Sequence, residues 1–325
     1  MSSFDLPASE YATALAALET GAVICPVSPA GLLRFSGEES QLFLHNQLSS
    51  DVKALNPDQA QYSSYSTAKG RMQANFLLFQ QEGDYWLQLA DDLAPAMQKR
   101  LSMFILRSKT RCRDASAERV LLGLAGPRAA EFVRPLTGSS ELTELAVHHG
   151  ENGSVIALPG ARFLLVIAPQ SASDLAQRFI AAGCVPGNDD LWRLTDIRAG
   201  IPWICTATQE EFVLQMANLD LIGGVSFAKG CYPGQEIVAR TRYLGKIKRR
   251  TLRVRCPSAA QAGQEVFSPE MNGQPSGKVL QAAPAEAGNF EMLVAAQLSS
   301  VEHGLHLDAI DGPALEPLPL PYAIE

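Results

Sequence analysis

The stretch Glu211 to Arg242 reads EFVLQMANLDLIGGVSFAKGCYPGQEIVARTR, and its one cysteine, Cys231, is the residue most suited to chemistry. Around it stand four glycines, Gly223, Gly224, Gly230 and Gly234, with Pro233 beside the last, and the polar set Gln215, Asn218, Asp220, Lys229, Gln235 and Glu236. Lys229 to Glu236 makes a poor helix and a poor strand, which predicts a loop. A cysteine in such a loop is expected to be more exposed than a core cysteine. An ordinary thiol with a pKa of about 8.5 is only about 3% thiolate at pH 7. A close cation such as Lys229, or backbone amides opened by Gly230, would raise that share and with it the nucleophilicity. The bland alternative is a small side chain packed beneath a structural turn.

Nothing else in the sequence competes with this loop. The other cysteines, Cys25, Cys112, Cys184, Cys205 and Cys256, form no C-x-x-C and have no histidine at zinc-ligand spacing, so no metal site is expected. Six cysteines in 325 residues are too sparse for a disulfide scaffold, and free thiols in a reducing compartment are the simpler reading. His45, His148, His149, His303 and His306 all lie far along the chain from Cys231, and no triad is legible. Neither phosphate-binding glycine signature is present.

A chain of 325 residues with 46% hydrophobic content is too long for one ordinary core. Met1 to Glu10 has no basic start followed by an apolar run, and the longest aliphatic stretches are strand-sized. A soluble, cytoplasmic protein with no membrane contact is therefore expected. The net charge of −7 argues against a dedicated nucleic-acid binder, but charge is segregated. Ala239 to Arg255 carries 8 of the 27 basic residues and no acid. A second run, Gln98 to Arg113, adds six more, whereas Cys256 to Glu325 has nine acids against Lys278 alone. Each basic run is either a solvated face or an anion site, with RNA or a polycarboxylate tail as the candidate ligand.

The elements that must position the loop alternate irregularly. Helical spacing is read around Leu42 to Leu48, Asp92 to Leu106, Ser171 to Ala182 and Asp189 to Ala199. Strands are read around 61–66, 73–79 and 85–89, with a hairpin break at Glu82-Gly83-Asp84, and again at 119–124 and 162–168. Beyond about Arg249 only short strands and Gly/Pro/Asn turns follow, at 251–255, 265–268, 278–281 and 291–296, as in a small all-β barrel. The expectation is an α+β fold, with residues 1–244 forming two subdomains and 245–325 a barrel domain.

Lys229-Gly-Cys-Tyr-Pro-Gly-Gln-Glu236 closely resembles the loop of the YgfZ family, folate-binding relatives of the glycine-cleavage T-protein (aminomethyltransferase). Weaker likeness covers Ala68-Lys69-Gly70, Ile197 to Pro202 and the tail from Leu318 to Tyr322. The resemblance implies a T-protein-like fold, with two interleaved α+β folate-cleft domains followed by a C-terminal β-barrel. It also implies tetrahydrofolate or a derivative as cofactor and support of iron–sulfur enzymes in tRNA modification. Cys231 takes the functional thiol position with Lys229 beside it, and Gly230, Tyr232, Gly234, Gln235 and Glu236 complete the motif. Trp192 falls where a family tryptophan contacts folate, and Gln215, Asn218, Arg198 and Arg240 are the further candidates for the cofactor. This chain departs from the family at three places. Arg198 replaces a common glutamate, Ala30-Gly31 supplies no second ring, and the catalytic aspartate positions of true T-proteins read Ala74-Asn75. Neither Ala74 nor Asn75 can accept a proton as a carboxylate does, which argues against aminomethyl transfer. The rival readings are a folate-dependent one-carbon transferase and an RNA-binding module built on 239–255 with weak tRNA contact.

Overall fold

A computed structural model describes residues 6, 7 and 9–324; most of the N-terminal stretch read for an export signal lies outside the described residues. The chain divides into two compact units, each assembled from separate stretches. The first comprises residues 1–41, 54–61 and 77–195, and the second residues 42–53, 62–76 and 196–325.

The first unit is organised by a six-stranded sheet in the order Val185–Pro186, Val23–Pro26, Val120–Ala125, Arg162–Ile167, Gly153–Leu158, Val147–Gly150. Alternation of side chains sends Ile24, Leu122, Leu124, Phe163 and Leu165 to one face, where the helices Ala129–Thr137 and Pro169–Ala181 cover them with Val133, Leu175 and Phe179. Full burial of each such side chain is worth about 1.5–3 kcal/mol. Gly123 points to the opposite face, and there Trp192 of the helix Asp189–Arg198 lies against it. A Cβ at Gly123 would sit 2.1 Å from the indole, so the missing side chain makes the slot for the ring. The Asp84–Ala90 strand pairs with Ala30–Ser36, which pairs in turn with Arg111–Asp114. Glu82 and Gly83 both have positive φ (55° and 81°) and close the expected hairpin between Gln81 and Asp84 as a two-residue turn.

The second unit ends in a closed barrel in the order Arg249–Cys256, Phe290–Gln297, Gly277–Pro284, Glu265–Phe267, Leu305–Leu307, Ala314–Leu318. Val254, Val279, Met292, Val294 and Leu307 fill its interior. The barrel read from the sequence is present with two strands that the sequence did not announce, 305–307 and 314–318, both short and one interrupted by Pro317. The same unit holds the helix Ser40–Gln47 from residue 42 onward, the strand Gln61–Ser66 from residue 62 onward, and the helix Gln235–Tyr243. That last helix is not among the elements expected from the sequence. It begins at Gln235, immediately after Gly234, whose φ of 82° turns the chain into it.

Candidate functional site

The loop 229–234 is anchored by two buried side chains, Lys229 and Tyr232, that flank an exposed pair. Lys229 is only 8% exposed, and its ammonium donates to the carbonyls of Leu48 (2.6 Å), Ser50 (2.9 Å) and His45. Tyr232, also buried, lays its ring 5.1 Å from the same ammonium, and burial pushes its phenol up to about 12. Between these two anchors Gly230 and Cys231 are exposed. Of the six free cysteines Cys231 alone is exposed; Cys25, Cys184 and Cys256 are buried, and Cys112 and Cys205 are half-buried.

The far side of the loop is fixed by two glycines that interlock. A Cβ on Gly234 would lie 2.7 Å from the Thr67 carbonyl oxygen and 2.8 Å from Gly70 Cα, and one on Gly70 would lie 2.9 Å from Ile237 Cβ. Both have positive φ, so any side chain is doubly excluded. The near side rests on a serine network. Ser49 Oγ donates to Gly224 O (2.6 Å) and accepts from the Ser64 amide (2.8 Å), while Ser49 O accepts from the Ser226 amide (2.9 Å). Buried polar groups of this kind rigidify when each has a partner. None of the serines was singled out from the sequence, because their partners lie up to 175 residues away.

Lys229 was expected to act on the thiol, yet the geometry spends its charge on three carbonyls. Burial lowers its pKa to about 8, with Asp51 opposing, so it stays mostly protonated at pH 7 and serves as a brace. His45, at the same place, is buried with Nδ1 3.1 Å from Asp51; burial and the Lys229 charge lower its pKa.

The residues expected to hold a cofactor are mostly engaged elsewhere. Gln215 is fully buried and its Nε2 donates to Val238 O (2.7 Å). Asn218, also fully buried, donates to Thr251 O (2.8 Å) and accepts from the Thr251 amide (3.2 Å), tying its turn to the first barrel strand. Arg198 pairs with Glu291 at 2.9 Å and Glu286 at 2.5 Å. In the first unit Trp192 is 5% exposed, with the Arg162 guanidinium 5.4 Å from its ring centroid. Arg240 is exposed. In the motif, Gln235 is half-buried and Glu236 exposed at the start of the helix.

Asn75 is one of the two residues that the resemblance set against the catalytic aspartates of T-proteins. It is 2% exposed, donates from Nδ2 to Pro202 O (2.7 Å) and accepts at Oδ1 from the Ile204 amide (2.8 Å). A carboxylate could not make the first of these bonds. The amide is therefore the residue that this packing requires. Among the described residues no three metal-ligating side chains converge, and no helix is long and apolar enough to cross a membrane. The first unit also carries an open cleft of about 420 Å³ lined by Ser36, Gly37, Ser108, Lys109, Thr110 and Arg111, in which Lys109 is paired with Glu38.

A family model described as the GCVT N-terminal domain matches residues 8–164. The whole chain is similar to proteins named tRNA-modifying protein YgfZ. The one from Escherichia coli O127:H6 is 30% identical over 302 residues, covering 90% of this chain and 91% of the relative. The one from Sodalis glossinidius is 30% identical over 327 residues, covering 98% and 96%. This chain belongs to the YgfZ family. Among solved structures, the glycine cleavage system aminomethyltransferase T from Bartonella henselae superimposes with a TM-score of 0.75 at 15% identity, covering 94% of this chain and 87% of that one. The YgfZ family member described above therefore has the α+β T-protein fold with its C-terminal barrel, as the resemblance implied.

Proposed function

We propose that this chain is an accessory protein of tRNA modification that works through the Cys231 thiol, supporting the assembly or repair of the iron–sulfur enzymes that carry the modification out. The reading rests on one observation: a fold that buries or half-buries five cysteines holds the sixth in solvent between two anchored neighbours. An exposed thiol on a braced loop is suited to taking up and passing on a sulfur or one-carbon group, because attack requires access before anything else. Its family's name joins it to tRNA modification. In cells lacking their own copy, the parent chain is expected to restore the thiolated tRNA nucleosides measured by mass spectrometry, and Cys231→Ser is expected not to. Full restoration by the serine variant would remove the thiol from the account.

Tetrahydrofolate enters this reading through the family alone. Four of the five residues expected to hold it do not fit that role as they stand, since Gln215, Asn218 and Trp192 are buried in internal contacts and Arg198 is ion-paired, and only Arg240 is exposed. Calorimetric titration of tetrahydrofolate into the protein is the test: any heat of binding is expected to be unchanged by Trp192→Phe, because that ring already packs against Gly123. Absence of heat with both proteins would take folate out of the reading.

A further inference from the structure

The basic run 239–255 is divided by the structure into two chemically different halves. In the barrel half, Arg250 is buried against Asp220 (2.7 Å), Arg253 pairs with Glu291 (2.6 Å) and Arg255 pairs with Glu316 (2.7 Å). In the half that ends the helix Gln235–Tyr243 and follows it, Arg240, Arg242, Lys246 and Lys248 are all exposed, and none has an acidic partner among the described residues. Charge at the C-terminus of a helix complements its dipole and accounts for Arg240 and Arg242. It does not account for Lys246 and Lys248, which lie beyond the helix.

Rings are interleaved with these cations. The Arg242 guanidinium stands 4.3 Å from the centroid of Phe227, and Phe227 meets Tyr243 edge to face at 6.3 Å and 75°. Tyr243 is nonetheless 67% exposed, and its neighbour Leu244 is 85% exposed. A phenol ring held by Phe227 but open to solvent, among four unneutralised cations, is the combination that single-stranded nucleic acid uses, with bases stacking on aromatic faces and phosphates meeting the cations. The apolar content, one leucine and one tyrosine, is small for burial in a lipid surface. In a chain of net charge −7, a local excess of four positive charges is a feature that a polyanion would recognise.

We propose that the surface made by Phe227, Arg240, Arg242, Tyr243, Lys246 and Lys248 binds an unpaired segment of RNA. This rests on the proposed role in tRNA modification and extends it, placing the RNA on the helix that starts at the thiol loop. The test is fluorescence anisotropy of the full-length protein with a labelled unstructured RNA 12-mer and with whole tRNA. Tyr243→Ala is expected to weaken binding at least about tenfold through the lost stacking face. Lys246→Ala/Lys248→Ala is expected to weaken it too, and to reduce the slope of log affinity against log salt by about 1.4, at about 0.7 per phosphate contact on a single strand. Both sites are exposed, and unchanged thermal melts would exclude misfolding. Binding by both variants equal to that of the parent would overturn the proposal. So would capture of the parent by phosphatidylglycerol vesicles without affinity for RNA. The two readings fail separately. If Cys231→Ser restores tRNA thiolation but the surface variants lose RNA, the thiol reading fails alone; if the surface variants keep RNA while Cys231→Ser is inactive, this inference fails alone.

Discussion

Native protein treated with a chromogenic disulfide reagent is expected to release one equivalent of thiolate rapidly, and Cys231→Ser none. Access separates the six cysteines, since Cys231 alone is exposed. Ionisation separates them further. Burial pushes Cys112 and Cys184 up to about 12, and Cys25 is raised more strongly still by burial and by the nearby Cys184. A thiol with a pKa near 12 is about one part in 10⁵ thiolate at pH 7, too little to compete with an open one. The remaining equivalents should appear only as the protein unfolds, at the rate of unfolding. Stability should be little changed, within about 0.5 kcal/mol, because the substitution is at an exposed position. Two or more fast equivalents in the parent, or a fast phase surviving in the serine variant, would contradict this assignment. The same variant serves the cellular assay, where loss of thiolated nucleosides without loss of stability would locate the defect in the sulfur atom.

The largest loss of stability is expected at Lys229→Met. The substitution keeps most of the apolar stem and removes the ammonium that three buried carbonyls, those of His45, Leu48 and Ser50, share. Each stranded acceptor costs about 1–3 kcal/mol when no water replaces the donor. Against this stands the relief of no longer burying a charge. A net loss of about 3 kcal/mol is expected, seen as a lower denaturant midpoint with an unchanged slope. Because the anchor is on the residue two before the thiol, the fast labelling of Cys231 should also lose its single-exponential form as the loop samples several postures. An unchanged midpoint would show that Lys229 does not brace the fold.

The order of strands and helices was largely legible because hydrophobic periodicity and turn residues are local signals. The barrel strand around Val254 and the Glu82-Gly83 hairpin could be read within a few residues. The exposure of Cys231 was legible for the same reason, since glycine and proline on both sides rule out regular structure. What Lys229 does was not. Its charge suggested a neighbour in sequence, but its partners are carbonyls of residues 45–50, and backbone atoms leave no mark in a residue alphabet. Gln215 and Asn218 misled in the same way, because an amide that clamps a strand cannot be told by type from one that faces a ligand. The basic run could be counted but not divided. Which arginines meet acids depends on the pairing of 249–256 with 290–297 and of 253–255 with 316–318, and register between distant strands is invisible before folding. The helix Gln235–Tyr243 was not legible, because with Val238 as its one buried residue it presents no apolar stripe to count.

The second unit is stitched from three separated lengths of chain, and this governs how the protein can be taken apart. A C-terminal fragment cut at residue 196 would contain the thiol, the barrel and Lys229, but it would leave that lysine with no carbonyl to grip. The cysteine's posture is thus set by carbonyls 179–184 residues ahead of Lys229 in the chain, which stay without that donor until the loop has been synthesised. Gene dissection at any point between Ser50 and Lys229 is expected to give a piece that carries the reactive group without the means to present it.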